Sequence, residues 1–400
     1  MATTELYWDP MDEALDDDPH PIWRRMRDEA PLYWNEQYGF WALSRFADVE
    51  AAHRDPATFS SAHGTVLEMM GGDMAATGLI IFMDPPDHTI LRSLVARAFT
   101  PRRMAALDDD IRSICAELLD GLAGRDEFDY VQDFAAQVPS RVIARLVGVP
   151  ESEREEQRHN IDGVFHIEPG VGMVNDVSPN AQIALHTYLS GLIERKKAEP
   201  GDDLISVLCG SSIVDDQGVE RALTDEELAS FSNILFSAGT ETVMRLLGNA
   251  AVLLDRHPDQ RADLVDHPEV IPNTVEELLR YEAPSPVQGR TTTRDVELHG
   301  TVVPAGSKVL LITGSAGRDE REYGSDAGSF DVRRQFRQHV SFGYGIHFCV
   351  GANLARVEGR IALEETLKRF PTWELVPGGT VRQHTSTVRG YSQVLIRPGA

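Results

Sequence analysis

Cysteine is scarce in this chain of 400 residues, which contains Cys115, Cys209 and Cys349 and no others. Three widely spaced thiols provide neither a disulfide framework nor the paired spacing of a zinc site, and they suit a reducing compartment. Basic residues are also outnumbered: 38 Lys and Arg face 63 Asp and Glu, a formal net charge of −25. Such an acidic chain is disfavoured as a general partner of nucleic acid or of an anionic membrane.

Long apolar runs are absent as well. The first two dozen residues are acidic and polar, show no secretory signal and fall short of the about 20 apolar residues that a membrane helix needs. There is no internal repeat and no low-complexity linker. With 42% hydrophobic and 25% charged residues, the composition is that of a globular enzyme with ample material for a large core.

Apolar periodicity predicts a chain made mostly of helices. Cys115 and Cys209 fall within such patterns and are predicted to pack in the interior. The predicted helices cover residues 47–54, 87–98, 101–122, 131–146, 180–197, 224–255 and 271–281. Short strands are predicted near residues 38–43, 290–298, 301–303 and 308–312, with a turn at 304–306. The segments 61–83 and 159–179 lack periodicity and are predicted to be loops.

The longest predicted helix begins with a capping box formed by Thr224 and Glu227. About 32 residues at ~1.5 Å per residue would span ~48 Å, enough to cross a domain. Gly239 weakens the helix near its middle by ~1 kcal/mol relative to alanine, and Thr242 can bond back to a carbonyl one turn earlier. These residues alone predict a helix kink packed on a neighbouring element.

The most informative segment runs from Phe342 to Gly351 and sets Cys349 between glycines, just ahead of a strongly helical run. A thiolate there would face unpaired backbone N–H groups and the positive end of a helix dipole, which suits metal ligation or nucleophilic attack. Gly345 and Gly351 would let the backbone approach a large flat ligand. The alternative is a buried free cysteine near a turn.

This segment resembles the haem-binding loop of the cytochrome P450 superfamily, Phe-x-x-Gly-x-His/Arg-x-Cys-x-Gly, at Phe342, Gly345, His347, Cys349 and Gly351. The continuation Leu-Ala-Arg at residues 354–356 also fits, whereas a valine at 350 replaces the more usual leucine. The resemblance implies a haem b cofactor (iron protoporphyrin IX) with Cys349 as the axial thiolate ligand of the iron.

The middle of the long helix, Ala238-Gly239-Thr240-Glu241-Thr242, resembles the oxygen-activating motif of the same family. The resemblance implies that Glu241 and Thr242 are catalytic, delivering protons during oxygen activation, and that Ala238 and Gly239 lie against the cofactor. Arg245 is four residues after Glu241 on the same helical face. It forms either an ordinary exposed ion pair or a contact that holds Glu241 away from the oxygen site in the resting enzyme.

Further cofactor contacts follow from the same resemblance. His88 and Arg92 match the family's His-x-x-x-Arg, whose side chains bond the haem propionates; the alternative is a solvated basic face. Arg290 and His347 match further propionate ligands.

A structural triad is also implied. Glu277 and Arg280 match the Glu-x-x-Arg helix of the family, and Arg334 lies in the segment that precedes the haem loop. The implied role of the three residues is to tie that segment in place.

The resemblance implies a pocket for a hydrophobic substrate, formed by parts of the segments 61–83, 159–180, 234–239, 285–288 and 386–389. His63, Glu68 and Asp73 could add polar contacts. The candidate lining residues, each of which could instead be core, are Met69, Met70, Leu79, Ile80, Phe82, Leu235, Val287 and Val388.

A monooxygenase also needs an electron donor. Basic residues gather in segments that flank the thiolate loop in this family, and they suit an acidic ferredoxin or a flavodoxin with its reductase. The alternative is a scatter of unrelated arginines. The residues are Arg102, Arg103, Arg333, Arg334, Arg337, His339, Arg356 and Arg360.

The resemblance therefore implies one mainly α cytochrome P450 domain over residues 1–400, with small β-sheets and the haem between the long helix and the helix after Cys349. It implies a bacterial, cytoplasmic monooxygenase without a membrane anchor or a nucleic-acid partner. The enzyme would use O2 and two electrons to hydroxylate or epoxidise a steroid, terpenoid, fatty acid or macrolide-like molecule. Two alternatives are a haem-thiolate peroxygenase and a non-haem enzyme with Cys349 as nucleophile and His347 as base.

Overall fold

The structure, a computed structural model, describes residues 6–72, 74, 77–100, 104, 106–164, 175–215, 217–386 and 388–399, without the side chains of 95–98. The helices are α1 (His20–Glu29), α2 (Phe46–Arg54), α3 (Asp87–Ala98), α4 (Asp108–Asp120), α5 (Gln137–Val147), α6 (Arg154–Val164), α7 (Val177–Ala198), α8 (Leu204–Cys209), α9 (Asp225–Arg256), α10 (Pro258–Asp266), α11 (Ile271–Tyr281), α12 (Thr313–Ala316), α13 (Glu320–Tyr323) and α14 (Ala352–Arg369). The strands are β1 (Leu32–Asn35), β2 (Phe40–Leu43), β3 (Phe59–Ser60), β4 (Phe128–Asp129), β5 (Ser212–Val214), β6 (Glu220–Ala222), β7 (Gln288–Thr292), β8 (Val296–Leu298), β9 (Thr301–Val303), β10 (Lys308–Leu311), β11 (Trp373–Arg382) and β12 (Tyr391–Pro398).

Contacts divide the chain into two units, each made of three stretches of sequence. The first unit comprises residues 1–75, 272–349 and 382–391, and the second comprises 76–271, 350–381 and 392–400. Cys349 is therefore the last residue of the central stretch of the first unit. The predicted oxygen-activating motif belongs to the second.

A five-stranded sheet of order β1-β2-β10-β7-β3 organises the first unit. Successive side chains of a strand point to opposite faces, and β10 follows this rule with apolar residues on both. Leu310 belongs to a core cluster with Trp8, Trp23 and Phe40. Val309 packs in a second cluster, with residues of α2 and β3. The sheet is thus covered on both sides, and it fixes β7 and the segment before it.

The helix α9 dominates the second unit. It spans 32 residues, and the capping box predicted from Thr224 and Glu227 is present in full. Most of its side chains are buried, because neighbouring helices cover it on several faces rather than along one stripe. Trp373 of β11 donates its indole N–H to the carbonyl of Ala251 at 3.1 Å, which attaches the three-stranded sheet β11-β12-β4 to this helix.

The predicted helices 87–98 and 271–281 are confirmed at both ends. The helix predicted over 101–122 begins at Asp108 among the described residues, and that predicted over 131–146 divides into a π-helical turn (Val131–Ala135) followed by α5. The strand predicted over 290–298 divides into β7 and β8. The buried position predicted for Cys115 is confirmed, whereas Cys209 is only half-buried.

The loop predicted over 159–179 was wrong at both of its ends. Helix α6 continues to residue 164, supported by Arg158, which bonds Glu155 at 2.8 Å and Asp162 at 2.6 Å on the same helix face. Helix α7 begins at Val177, where the side chain of Asn175 accepts the N–H of Val177 at 2.9 Å. These side-chain contacts support helix where the apolar periodicity is missing. Residues 165–174 lie outside the described residues.

Within the described ranges, none of the helices combines the length and the apolar character needed to cross a bilayer.

Candidate functional site

The cysteine loop of the first unit presents its thiol to the surface. Cys349 is exposed, and its backbone N–H donates to the carbonyl of Phe342 at 2.8 Å, closing the loop. Phe348 beside it is 38% exposed. The loop turns at Gly343 (φ +67°) and Gly345 (φ +66°), a backbone region that favours glycine. An exposed thiol beside an exposed aromatic ring is a surface that an apolar group could cover.

Gly345 is required for a second reason. A Cβ placed on it would lie 2.5 Å from the backbone oxygen of His53 in α2, so the loop passes against that helix end with no room for a side chain.

Arg290 on β7 is almost fully buried in the same unit and donates to the carbonyl of Gly289 at 2.7 Å. His53 lies near it and is 4% exposed. Burial, reinforced by the positive charge of Arg290, lowers the pKa of His53 to about 3. The predicted propionate ligand His347 is half-buried on the short helical turn of the loop. The first unit thus carries a buried guanidinium and a buried neutral imidazole close to the cysteine loop.

The predicted triad is assembled. Glu277 and Arg280 are fully buried, with Arg280 Nε 2.6 Å from Glu277 Oε2. Arg334 Nε lies 3.4 Å from Glu277 Oε1. The backbone N–H of Asp331 also donates to Glu277 Oε1 at 3.0 Å, which ties the segment before the cysteine loop to α11.

Arg280 does more than pair with an acid. Its guanidinium also donates to three backbone carbonyls, those of Gly317 at 2.7 Å, Ala327 at 2.8 Å and Ser329 at 3.1 Å. One side chain therefore donates hydrogen bonds both to the Glu277 carboxylate and to backbone carbonyls of residues 317–329, the segment that follows α12.

In the second unit, the middle of α9 is open at one place. Ala238 is exposed and Gly239 is half-buried, although the residues on either side are buried. Thr242 donates its hydroxyl to the carbonyl of Ala238 at 3.2 Å, as predicted. A Cβ on Gly239 would lie 3.3 Å from Ile143 of α5, so the glycine also serves close packing. The exposed patch at Ala238 is small and apolar, a second surface that an apolar group could cover.

Glu241 and Arg245 form an ion pair on α9, with Arg245 Nε 2.9 Å from Glu241 Oε1. The side chains are 12% and 5% exposed, so the interpretation as an ordinary exposed pair was wrong. The pair is retained inside the protein, where screening by salt is weak.

His88 and Arg92 lie one turn apart on α3. His88 is 2% exposed, so the solvated basic face considered for this pair was wrong at that residue. Burial, aided by the charge of Arg92, lowers the pKa of His88 to about 4. At neutral pH the imidazole is therefore uncharged beside a cation.

The candidate substrate residues separate into two groups. In the first unit, Met70 and Val287 belong to the apolar cluster around Trp8 and Trp23, which favours a core role for them; Met69 is half-buried there. In the second unit, Ile80, Phe82 and Leu235 are buried and Leu79 is half-buried. Of the candidate polar residues, Glu68 accepts the hydroxyl of Ser386 at 2.7 Å, and Asp73 lies outside the described residues.

A cleft in the first unit is lined by Val287 and Val388 together with Trp8, Trp23 and Arg389. Its volume of about 50 Å³ is far below the roughly 300–1,000 Å³ typical of organic-ligand pockets. This cleft is therefore not by itself a substrate pocket.

The basic cluster is smaller than its sequence indicates. His339 is buried and bonds Glu276 at 3.1 Å, Arg334 is buried in the triad, and Arg360 pairs with Asp108 and Glu364. Arg333 and Arg337 are exposed in the first unit, and Arg356 is half-buried in the second. Arg102 and Arg103 lie outside the described residues.

Sequence reasoning missed His53. It is the second-last residue of α2 and belongs to no recognisable motif, and only the fold brings it to the cysteine loop. It also missed the N-terminal segment, whose Trp8 is fully buried although it lies outside every predicted element.

The residues present fit a haem. A cysteine can ligate iron, and the exposed ring of Phe348 beside it provides an apolar surface. Neither ring nitrogen of the buried His53 has a hydrogen-bond partner among the described residues, and Arg290 beside it supplies positive charge. Such donors suit a carboxylate. An exposed cysteine in a glycine-turned loop, close to a buried guanidinium and a buried imidazole, fits a haem-thiolate protein.

Comparison with known proteins agrees. The sequence profile of the family described as Cytochrome P450 matches residues 34–398. Cytochrome P450 130 of Mycobacterium tuberculosis is 40% identical over 386 residues, covering 93% of each chain. The vitamin D(3) 25-hydroxylase of Pseudonocardia autotrophica is 38% identical over 388 residues, covering 95% of this chain and 94% of the relative. The structure of CYP109E1 from Bacillus megaterium in complex with testosterone superposes with a TM-score of 0.84 at 32% identity, covering 96% of this chain and all of that one.

The chain belongs to the cytochrome P450 family. The mainly α fold with small sheets that was predicted from the sequence is confirmed, and the protein is a cytochrome P450 monooxygenase, an oxidoreductase that requires haem and iron.

Proposed function

We propose that the enzyme holds haem b through Cys349 and inserts one atom of O2 into a hydrophobic small molecule, by hydroxylation or epoxidation. The observation that carries this proposal is the exposed Cys349, held by its backbone bond to Phe342 in a loop with two left-handed glycines. The haem supplies the activation of O2, and a thiolate ligand favours cleavage of the O–O bond.

Four side chains would hold the propionates of the haem. Arg290 and His347 serve in the first unit, and His88 and Arg92 in the second. The burial of Arg290 and His88 supports this assignment, since a buried donor gains most from a charged acceptor. Phe342 and Gly351 shape the loop around the ligand, and Ala238 and Gly239 allow the cofactor to approach the helix.

Glu241 and Thr242 handle the protons that oxygen reduction consumes. Arg245 holds the Glu241 carboxylate in the resting state, and proton delivery requires that this contact be released by a change of rotamer. The burial of the pair supports the proposal, because salt screens a buried contact much less than an exposed one.

The triad of Glu277, Arg280 and Arg334 is structural. It fixes the segment before the cysteine loop. The 400 residues form one cytochrome P450 domain in this proposal.

The substrate is a hydrophobic molecule of the steroid type, with terpenoids, fatty acids and macrolides as further candidates. Support comes from two similar proteins, one named for the hydroxylation of vitamin D(3) and one described in complex with testosterone. The apolar side chains of Ile80, Phe82 and Leu235 suit such a ligand.

Electrons come from an acidic ferredoxin or a flavodoxin with its reductase. Arg333 and Arg337 supply docking charge, because both are exposed in the first unit, whereas Arg334 and His339 are buried there. The cytoplasmic location stays a prediction.

Carbon monoxide difference spectroscopy of the reduced protein tests the proposal. We expect the Soret shift that is typical of a haem-thiolate, its loss in Cys349→Ser, and its retention in the matched control Cys209→Ser, a half-buried cysteine outside the site. A wild-type protein without haem, or a Cys349→Ser protein with unchanged spectrum and turnover, would contradict it. Product formation with peroxide alone, without electron donor, would favour a peroxygenase.

A further inference from the structure

We propose that His53 binds a propionate of the haem together with Arg290, a role that no sequence motif indicates. The inference rests on the proposed haem site.

The first step is the state of the imidazole. His53 is 4% exposed, and both of its ring nitrogens lack a hydrogen-bond partner among the described residues. A neutral imidazole carries one N–H donor and one acceptor nitrogen. Burying both without partners is unfavourable, and most buried polar groups in native proteins are paired. Both ring nitrogens therefore stay available for a partner from beyond the described residues.

The second step is where the ring lies. Its Cε1 atom is 3.7 Å from the position that a Cβ on Gly343 would occupy, and the backbone oxygen of His53 adjoins Gly345 in the same way. The ring thus borders the left-handed turn of the cysteine loop. Gln288, two residues before Arg290, adjoins the same position of Gly343 at 3.9 Å.

The third step is the charge of the surroundings. The group that acts electrostatically on His53 is Arg290, a buried cation in the same unit. Its charge and the burial keep the imidazole neutral. A neutral N–H donor beside a guanidinium suits an anion with two oxygens, because the carboxylate offsets the buried charge and accepts from both groups. A propionate at the edge of the haem is that carboxylate.

A water molecule is the competing occupant, since a single water could also bond both nitrogens. The two occupants predict different behaviour of the holoenzyme. If a propionate accepts the His53 N–H, replacing the imidazole affects haem retention and the vibrations of the propionate. If water does so, neither changes.

The experiment compares the wild-type holoenzyme with His53→Phe, which keeps a ring of similar shape but no donor, and with His53→Gln, which keeps a donor. His267→Gln, at an exposed histidine between α10 and α11, is the matched control. The first readout is the rate of haem transfer to excess apomyoglobin. The second is the propionate bending band in the resonance Raman spectrum of the ferric protein.

We expect His53→Phe to lose haem roughly two- to tenfold faster, the range that corresponds to one net hydrogen bond, and to shift the propionate band. His53→Gln should restore both towards the wild type, and His267→Gln should change neither. Unchanged transfer and band in His53→Phe would overturn the proposal. Faster loss with an unchanged band and no rescue by His53→Gln would also overturn it, since packing alone would then explain the effect. A wild-type protein without haem would instead reject the proposed function.

Discussion

Replacing Glu277 by glutamine should destabilise the protein far more than its small chemical change suggests. The carboxylate is fully buried and accepts from Arg280 Nε at 2.6 Å, from Arg280 Nη2 at 2.7 Å and from the backbone of Asp331 at 3.0 Å. In Glu277→Gln the new NH2 group would face another donor, and the Arg280 charge would stay buried without its acid. Breaking a buried pair in this way costs about 3–5 kcal/mol.

The assay is urea unfolding of the holoenzyme followed by far-UV circular dichroism. The matched control is Glu29→Gln, which removes the same chemistry from an exposed helical pair: Arg25 Nε and Nη2 bond Glu29 at 2.8 and 2.9 Å. Because that pair is solvated, we expect no measurable shift of its midpoint. A shift for Glu277→Gln no larger than that of the control would refute the reasoning. Removing Arg280 as well should not rescue stability, because its three carbonyl partners would lose their donor.

Three further predictions concern other parts of the molecule. Arg245→Ala should change the fraction of consumed electrons that appears in product, because Glu241 is no longer held. An unchanged fraction and an unchanged turnover rate would contradict the proposed control of Glu241 by Arg245. Burial raises the pKa of Glu358 from its ordinary 4.5 to about 8, so the folded state keeps a proton that the unfolded state loses. Stability should therefore fall as pH rises from 4.5 to 8, and Glu358→Gln should gain stability relative to the wild type across that interval; equal differences at pH 5 and pH 8, in urea titrations, would contradict this. Gly345→Ala should lose haem and lower the unfolding midpoint more than Gly300→Ala. Both glycines have positive φ, but only at Gly345 would a Cβ lie 2.5 Å from a backbone oxygen. Equal losses of haem and stability in the two variants would show that backbone strain, and not the close contact, causes the effect.

Local signals were sufficient for the long helix. The capping residues Thr224 and Glu227 contact each other within one turn, so their pattern is readable without knowledge of the fold. The bond from Thr242 to Ala238 is equally local. The pair of Glu277 and Arg280 is also local, but it was predicted from the resemblance to the family and not from the three-residue spacing alone.

Burial and long-range contacts could not be predicted in this way. Whether Glu241 and Arg245 face solvent or the interior depends on what covers α9, which the helix itself does not encode. His53 and Gly345 are nearly three hundred positions apart in sequence, and nothing in either segment indicates the other. Helix α6 escaped notice because charge pairs along its surface, such as that of Arg158 with Asp162, replace the apolar stripe on which the prediction relied.

The way in which Arg280 anchors the segment after α12 has a consequence for sequence variation. Its guanidinium donates hydrogen bonds to the main-chain oxygens of Gly317, Ala327 and Ser329, and every amino acid supplies such an oxygen. These bonds therefore place no requirement on the side chains at the three positions, although Arg318 and Asp319 in the same stretch are buried and bonded through their own side chains. Gly317 is the exception, because a Cβ there would meet the carbonyl oxygen of Arg280 at 2.2 Å. The hydrogen bonds from Arg280 thus restrict the residue type at Gly317 but not at Ala327 or Ser329. What separates these positions is how closely each backbone approaches Arg280.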